Sequence, residues 1–185
     1  ILELSLNSTN FGDHRISPPR NIDNEKSKWQ DSGLFVGKER VRVCNPAKLI
    51  LDEVTDYDLV DVLCWIDTQG YEIPILTSLM PLLQNGLSTL IEFWPYGMEC
   101  QGYSVDNFID AVWCDTLEFH QMISGDQYVF KPLTKDCIEQ LWNNLKQSGD
   151  EENGGYAFSS ILISSKIHPM FCLLYTSDAA DDRYR

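Results

Sequence analysis

The 185-residue chain is short of positive charge. It carries 14 Lys and Arg against 28 Asp and Glu, a formal net charge of -14 at pH 7. A phosphate backbone would be repelled by this charge, so we expect no nucleic-acid partner. No apolar run approaches the roughly 20 residues that span a bilayer, so we expect no membrane partner. The stretch after Ile1 also lacks the basic region and cleavage site of a signal peptide.

Metal-binding and disulfide patterns are also absent from the sequence. The six cysteines are scattered and include no C-x-x-C pair, and no nearby histidine completes a zinc set. We therefore predict no metal site and no disulfide framework, and the reducing cytoplasm is the expected compartment. With 43% hydrophobic and 23% charged residues, the composition is that of an ordinary globular domain.

The segment from Cys172 onward does not read as natural protein sequence. Its order, C-L-L-Y-T-S-D-A-A-D-D, resembles the translation of a transposase-based sequencing adapter. An acidic tail would explain the composition of this segment but not its order. We therefore expect a single domain over residues 1–171 and an artefactual tail over residues 172–185, in a chain assembled from short reads and cut at its true carboxyl end.

From residue 60 onward, strand-like and helix-like patterns alternate. Strands are predicted at residues 2–6, 40–44, 60–67, 88–95, 119–123, 128–131 and 156–164. Helices are predicted at residues 72–84, with an end or a kink expected at Pro81, and at residues 105–114 and 135–148. Residues 49–54 fit either state, and residues 7–31 read as a long polar loop. Such alternation predicts an α/β domain with a mainly parallel sheet covered by helices.

The stretch from Val60 to Glu72 organises this prediction. Its nearly unbroken apolar run is typical of a strand buried on both faces of a parallel sheet. The run stops at Asp67, and Gly70 relieves the turn that follows. Since ligands of open α/β sheets bind outside the carboxyl ends of the strands, Asp67 is a candidate site residue. An Asp that merely caps an ordinary strand-to-helix turn is the competing interpretation.

Further polar residues stand out along the chain. Glu92 lies in an otherwise apolar strand, where a buried carboxylate is costly unless it is paired. Either the face that carries Glu92 opens near the strand end, or Glu92 is held in the site beside Asp67. His14 and Arg15 lie in the polar loop, as a solvated pair or as a substrate contact.

At this point the residues resemble a known family. The segment W-I-D-T-Q-G-Y-E, residues 65–72, resembles the K-I-D-V-E-G-x-E segment of FkbM-type methyltransferases. Residues 51–54 resemble the family's T-L-D-x-x segment, residues 90–93 its next strand with an acidic residue, and residues 12–16 a shorter upstream element. The resemblance implies a Rossmann-like sheet of the class I methyltransferase type. It also implies S-adenosylmethionine as cofactor and methyl transfer to a hydroxyl of a small molecule or sugar.

The carboxylates suit the chemistry that the resemblance implies. A neutral hydroxyl is a poor nucleophile, and a carboxylate within hydrogen-bonding reach takes its proton. Glu72 is expected to interact with the backbone at the start of its helix or with the acceptor. The candidate catalytic residues are Asp67 and Glu92, and the candidate substrate-binding residues are His14, Arg15, Glu72 and Trp94.

Two departures from the family pattern keep alternatives open. Trp65 stands where the family has Lys, and the eleven glycines include no G-x-G pair. We therefore expect the glycine loop for the cofactor to lie upstream, and this fragment alone to be inactive. One alternative is another enzyme on a doubly wound sheet, such as a nucleotide-sugar enzyme, because fold alone does not fix function. The other is a non-catalytic interaction domain, which Trp65 favours.

Overall fold

Two β-sheets make up the framework of the chain in a computed structural model. The structure describes residues 1–8, 14–16, 35–54, 58–124, 128–148 and 157–166. The expected tail, residues 172–185, and most of the polar loop at residues 7–31 lie outside these ranges. Within the described ranges, no helix is both long and apolar enough to cross a membrane.

The smaller sheet is antiparallel and comes from the amino-terminal part of the chain. Its strands are β1 (Leu2–Asn7), β2 (Arg15–Ile16) and β3 (Phe35–Val41), in the order β2-β1-β3. The predicted first strand is confirmed, whereas the strand predicted at residues 40–44 ends at Val41. Helix α1 (Pro46–Glu53) follows and resolves the ambiguous segment as a helix. The side chain of Asn45 caps it by accepting from the backbone N–H of Lys48 at 3.2 Å.

The larger sheet is mixed, not mainly parallel as predicted. Its strands are β4 (Leu63–Ile66), β5 (Ser88–Phe93), β6 (Leu117–Ile123), β7 (Val129–Pro132) and β8 (Ser159–Ser165), in the order β4-β5-β8-β6-β7. Among these strands only β4 and β5 pair in parallel, while β5–β8, β6–β8 and β6–β7 are antiparallel. The prediction fails because β8 inserts in reverse between β5 and β6, and because β7 folds back on β6. The α/β class itself is confirmed.

Strand β4 differs from its prediction as a central, doubly buried strand over residues 60–67. Residues 59–61 form a short 3-10 turn, closed by a hydrogen bond from Val62 N to Leu59 O at 3.1 Å. Within the described sheet β4 has only β5 as a neighbour. Leu63 and Trp65, alternate residues on one face of β4, are 46% and 70% exposed. An apolar run does not reveal whether a neighbouring element is present to cover it.

The helices that pack on the larger sheet begin and end close to the predicted positions. They are α2 (Glu72–Gln84), α4 (Val105–Val112) and α5 (Lys135–Ser148). The short helix α3 (Pro95–Cys100) was not predicted, and it begins at the last residue of the strand predicted at residues 88–95. Helix α2 continues through Pro81, and Gly86 follows it at a φ of 111°. Ser104 and Asn107 form a capping box at the start of α4. That helix stops at Val112, two residues before the predicted end, because Trp113 adopts an extended backbone.

One face of the larger sheet and the helices share a single apolar core. The ring of Phe93 on β5 meets Phe108 of α4 edge-on at 5.0 Å and Trp142 of α5 at 5.6 Å between centroids. All three side chains are almost completely buried. Close packing of this kind resists displacement, so the end of β5 is held rigidly. The residues next to Phe93 are thereby placed on a fixed support.

Candidate active site

Asp67 and Glu92 lie side by side at the carboxyl ends of the parallel strands. The register pairs Ile66 of β4 with Ile91 of β5, so the next residue along each strand is one of the two acids. Asp67 is exposed and Glu92 is half-buried. This part of the sheet has the strand direction for which ligand sites at carboxyl ends are expected.

Gln69 joins the two acids through its side-chain amide. Its Nε2 donates to Asp67 Oδ1 at 2.7 Å and to Glu92 Oε2 at 3.2 Å. Because both bonds share one nitrogen, the two carboxylate oxygens cannot be farther apart than the sum of these distances. Gln69 is absent from the site residues predicted from the sequence. The signal was available, since Gln69 stands where the K-I-D-V-E-G-x-E segment has its first Glu.

The turn that carries Gln69 has an unusual backbone. Gln69 adopts a φ of 55° and Gly70 a φ of 99°. A Cβ at Gly70 would lie 2.5 Å from the carbonyl carbon and oxygen of Gly97. Residues other than glycine are strained at such a φ, and a side chain at position 70 has no room. Gly70 is therefore required by its backbone angle and by its contact with α3.

Glu72 is buried directly behind this turn. Its Oε1 accepts from Thr68 N at 2.9 Å, from Thr68 Oγ1 at 3.0 Å and from Gly70 N at 3.2 Å. The side chain has no exposed surface. Loss of hydration raises the pKa of the Glu72 carboxyl, and the hydrogen bonds oppose this rise in part. The structure thus places Glu72 against the backbone before its helix and not on a surface that an acceptor contacts.

Arg15 and Trp94 form a buried contact between the two sheets. The guanidinium carbon of Arg15 lies 4.8 Å from the ring centroid of Trp94, within the range of a cation–π interaction. Both residues are less than a tenth exposed, at 6% and 2%. His14 accepts a hydrogen bond at Nδ1 from Asn7 N at 3.1 Å, which ties β2 to the end of β1. Of these predicted substrate contacts, Arg15 and Trp94 are taken up by a contact with each other, and His14 by a hydrogen bond from the backbone of β1.

Neither a metal set nor a cofactor cradle is present among the described residues. No group of three His, Cys, Asp or Glu side chains in the described ranges could hold a metal ion. Gly70 and Gly97 approach each other closely, so there is no room for a ligand between their backbones. The described residues therefore do not fit S-adenosylmethionine by themselves.

A separate cavity of about 260 Å³ lies at the other end of the sheet. Leu117, which lines it, pairs with Ser165 of β8, whereas Glu92 pairs with Ser160 of that strand. The cavity is lined mainly by apolar and aromatic side chains, including Trp113 and Phe119. It therefore does not contribute to a site at the two acids.

No family model, curated protein or solved structure matches the chain.

Proposed function

We propose that the chain supplies the acceptor side of an S-adenosylmethionine-dependent O-methyltransferase that acts on a hydroxyl of a small molecule or sugar. The observation that carries this proposal is the cluster of Asp67, Gln69 and Glu92 at the carboxyl ends of two parallel strands. The resemblance of residues 65–72 to the FkbM-type segment gives the cluster its chemical context.

Asp67 is the proposed general base. It is the exposed acid of the pair, so an acceptor can approach it from solvent. Gln69 engages Oδ1 of Asp67, and we assign the proton transfer from the acceptor hydroxyl to Oδ2. A positioned carboxylate of this kind typically contributes about a hundredfold to ten-thousandfold in rate. Glu92 is half-buried and shares the amide, so its proposed role is to hold the pair together.

The strand directions agree with this proposal at the level of fold. Strands β5 and β6 are each antiparallel to β8, so β4, β5 and β6 all run in one direction. The last strand, β8, is inserted between β5 and β6 in reverse. A Rossmann-like sheet of the class I methyltransferase type is compatible with this order, with β8 as its reversed strand and β7, which is also reversed, as an added strand beside β6.

The cofactor part of the proposal rests on residues outside the described ones. The described glycines do not form a cradle for S-adenosylmethionine. The proposal for this chain is limited to acceptor binding, acceptor orientation and proton removal. Orientation is the larger task, since fixing two reactants in line accounts for much of the barrier in a displacement.

A non-catalytic interaction domain is the second candidate, and one observation favours it. Leu63 and Trp65, alternate residues of the edge strand β4, are 46% and 70% exposed. Alternate residues of a strand share one face, so the two side chains present apolar surface together. Exposed apolar patches of this kind commonly mark binding surfaces. This candidate needs no cofactor and no base.

The test uses the protein translated from the start codon of its reading frame. Cofactor binding is measured by calorimetry, and transfer of a labelled methyl group is measured to a panel of hydroxylated sugars and small molecules. We expect both, with transfer lowered about a hundredfold or more in Asp67→Asn and unchanged in Asp110→Asn, an exposed acid of α4. Absence of cofactor binding would contradict the methyltransferase proposal and favour the interaction domain, and equal transfer by Asp67→Asn and the wild type would contradict the assignment of Asp67 as the base.

A further inference from the structure

The buried carboxyl of Glu72 has no part in the proton transfer proposed above. Its side chain is 0% exposed, so no acceptor contacts it. One of its oxygens, Oε2, is buried without a hydrogen-bond partner. Burial of such a group disfavours folding, and it also raises the pKa of the carboxyl. The cost of burying this carboxyl has to be offset by an interaction that stabilises another part of the structure.

The benefit lies in the turn that Glu72 supports. Thr68 N, Thr68 Oγ1 and Gly70 N donate to its Oε1, and they flank Gln69 on either side. Gln69 is the non-glycine residue with a positive φ in the described chain, a conformation that a residue keeps only when its surroundings enforce it. The backbone of Gln69 is thus held from before and after by a single carboxylate oxygen.

The direction of the Gln69 side chain follows from this backbone. From its left-handed position the side chain reaches both acids, with Nε2 at 2.7 Å from Asp67 Oδ1 and 3.2 Å from Glu92 Oε2. With an extended backbone at Gln69, its Cβ would point elsewhere and the amide would leave the acids. The left-handed turn is therefore a condition for the contact between Gln69 and the acid pair.

We propose that Glu72 is a positioning residue, whose buried Oε1 fixes the left-handed turn at Gln69 and so directs the Gln69 amide onto Asp67 and Glu92. Glu72 acts through hydrogen-bond acceptance and not through proton exchange with a ligand. The catalytic meaning of this arrangement rests on the proposed function, but the arrangement itself can be tested without an assay of methyl transfer.

The test compares Glu72→Met with Glu72→Gln in the full chain. Met fills the same volume without an acceptor, whereas Gln keeps a carbonyl oxygen in the place of Oε1. Side-chain amide signals are recorded by NMR after selective labelling of glutamine nitrogen, and Gln69→Ala identifies the signal of Gln69 by its loss. We expect the Gln69 amide protons to exchange with solvent at least about tenfold faster in Glu72→Met than in the wild type, and at the wild-type rate in Glu72→Gln.

Equal exchange in Glu72→Met and the wild type would overturn the proposal. So would a Glu72→Gln variant that behaves like Glu72→Met, because the acceptor would then not be the active feature. If Glu72→Met does not fold, Thr68→Val replaces it in the comparison. This change keeps Glu72 and removes the Thr68 Oγ1 donor to its Oε1. That variant should also speed the exchange, and an unchanged rate would overturn the proposal. Absence of methyl transfer would refute the proposed function and leave this result unaffected.

Discussion

Substitution of Gly70 by Ala should be among the most damaging single-methyl changes in this chain. The new Cβ would lie 2.5 Å from the carbonyl carbon and oxygen of Gly97. Gly97 cannot retreat, because a Cβ at its own position would already lie 2.1 Å from a ring carbon of Trp94, which is 2% exposed. The strain that Ala introduces at position 70 therefore has to distort the turn that carries Gln69.

The magnitude follows from two costs and one gain. A positive φ costs a residue with a Cβ about 1–2 kcal/mol, and overpacking against fixed atoms costs about 1–3 kcal/mol. The smaller conformational freedom of Ala in the unfolded chain returns about 0.4–1 kcal/mol. We expect Gly70→Ala to lower the free energy of unfolding by about 2–3 kcal/mol.

Urea unfolding followed by tryptophan fluorescence measures this change, with a constant m-value as evidence that only stability has changed. Gly37→Ala is the matched control. A Cβ at Gly37 would meet only Leu6 Cδ1, at an ordinary 3.5 Å. We expect that variant to stay within about 0.5 kcal/mol of the wild type. If Gly70→Ala is as stable as Gly37→Ala, the close approach of Gly70 to Gly97 is not real and the account of the turn fails.

Three further changes test other parts of the structure. Because the pKa of Glu72 is raised in the folded state, its stabilising contribution is present below the unfolded pKa and is lost as pH rises through the folded pKa. In urea titrations at a series of pH values, Glu72→Gln should therefore gain in stability relative to the wild type as the pH rises. The same pH dependence of stability in both proteins would contradict this. Ser104→Ala removes the cap of α4 and should cost about 1 kcal/mol by thermal unfolding, whereas no loss would refute the capping box. Glu99→Gln removes the 2.7 Å ion pair with Lys146. Because the pair is partly exposed, the free energy of unfolding should fall by less than about 1 kcal/mol, and by less still at high salt. A larger fall that does not depend on salt would show that the pair is not screened.

Local sequence patterns were sufficient for much of the secondary structure. The helical spacing of apolar residues and the Asn85-Gly86 stop predicted α2, and Pro95 predicted the end of β5 to within two residues. Strand direction was beyond such patterns. The run Ile161–Ile163 of β8 is buried on both faces, and a run of this kind has the same sequence pattern in a parallel or an antiparallel strand. Its reversed insertion depends on its neighbours in space.

The candidate site was predictable to a similar extent. The rule that sites lie at the carboxyl ends of strands pointed to Asp67, and the cost of a buried acid pointed to Glu92. The bridge between them was missed because it depends on a positive φ at Gln69, which residues with a Cβ rarely adopt. The position of Glu72 as an acid in the first turn of its helix could be read from the sequence. Its complete burial could not, because it depends on packing that a local pattern does not contain.

The most direct test of the central claim compares Asp67→Asn with Glu92→Gln in methyl transfer by the protein translated from its start codon. Both changes keep the shape of the side chain and remove its ability to take a proton at neutral pH. The account predicts that Asp67→Asn lowers turnover about a hundredfold or more, and that Glu92→Gln has a smaller effect, at unchanged cofactor affinity and melting temperature. Near-normal turnover in Asp67→Asn would contradict the claim that Asp67 is the base, and loss of turnover in Glu92→Gln alone would assign that role to Glu92.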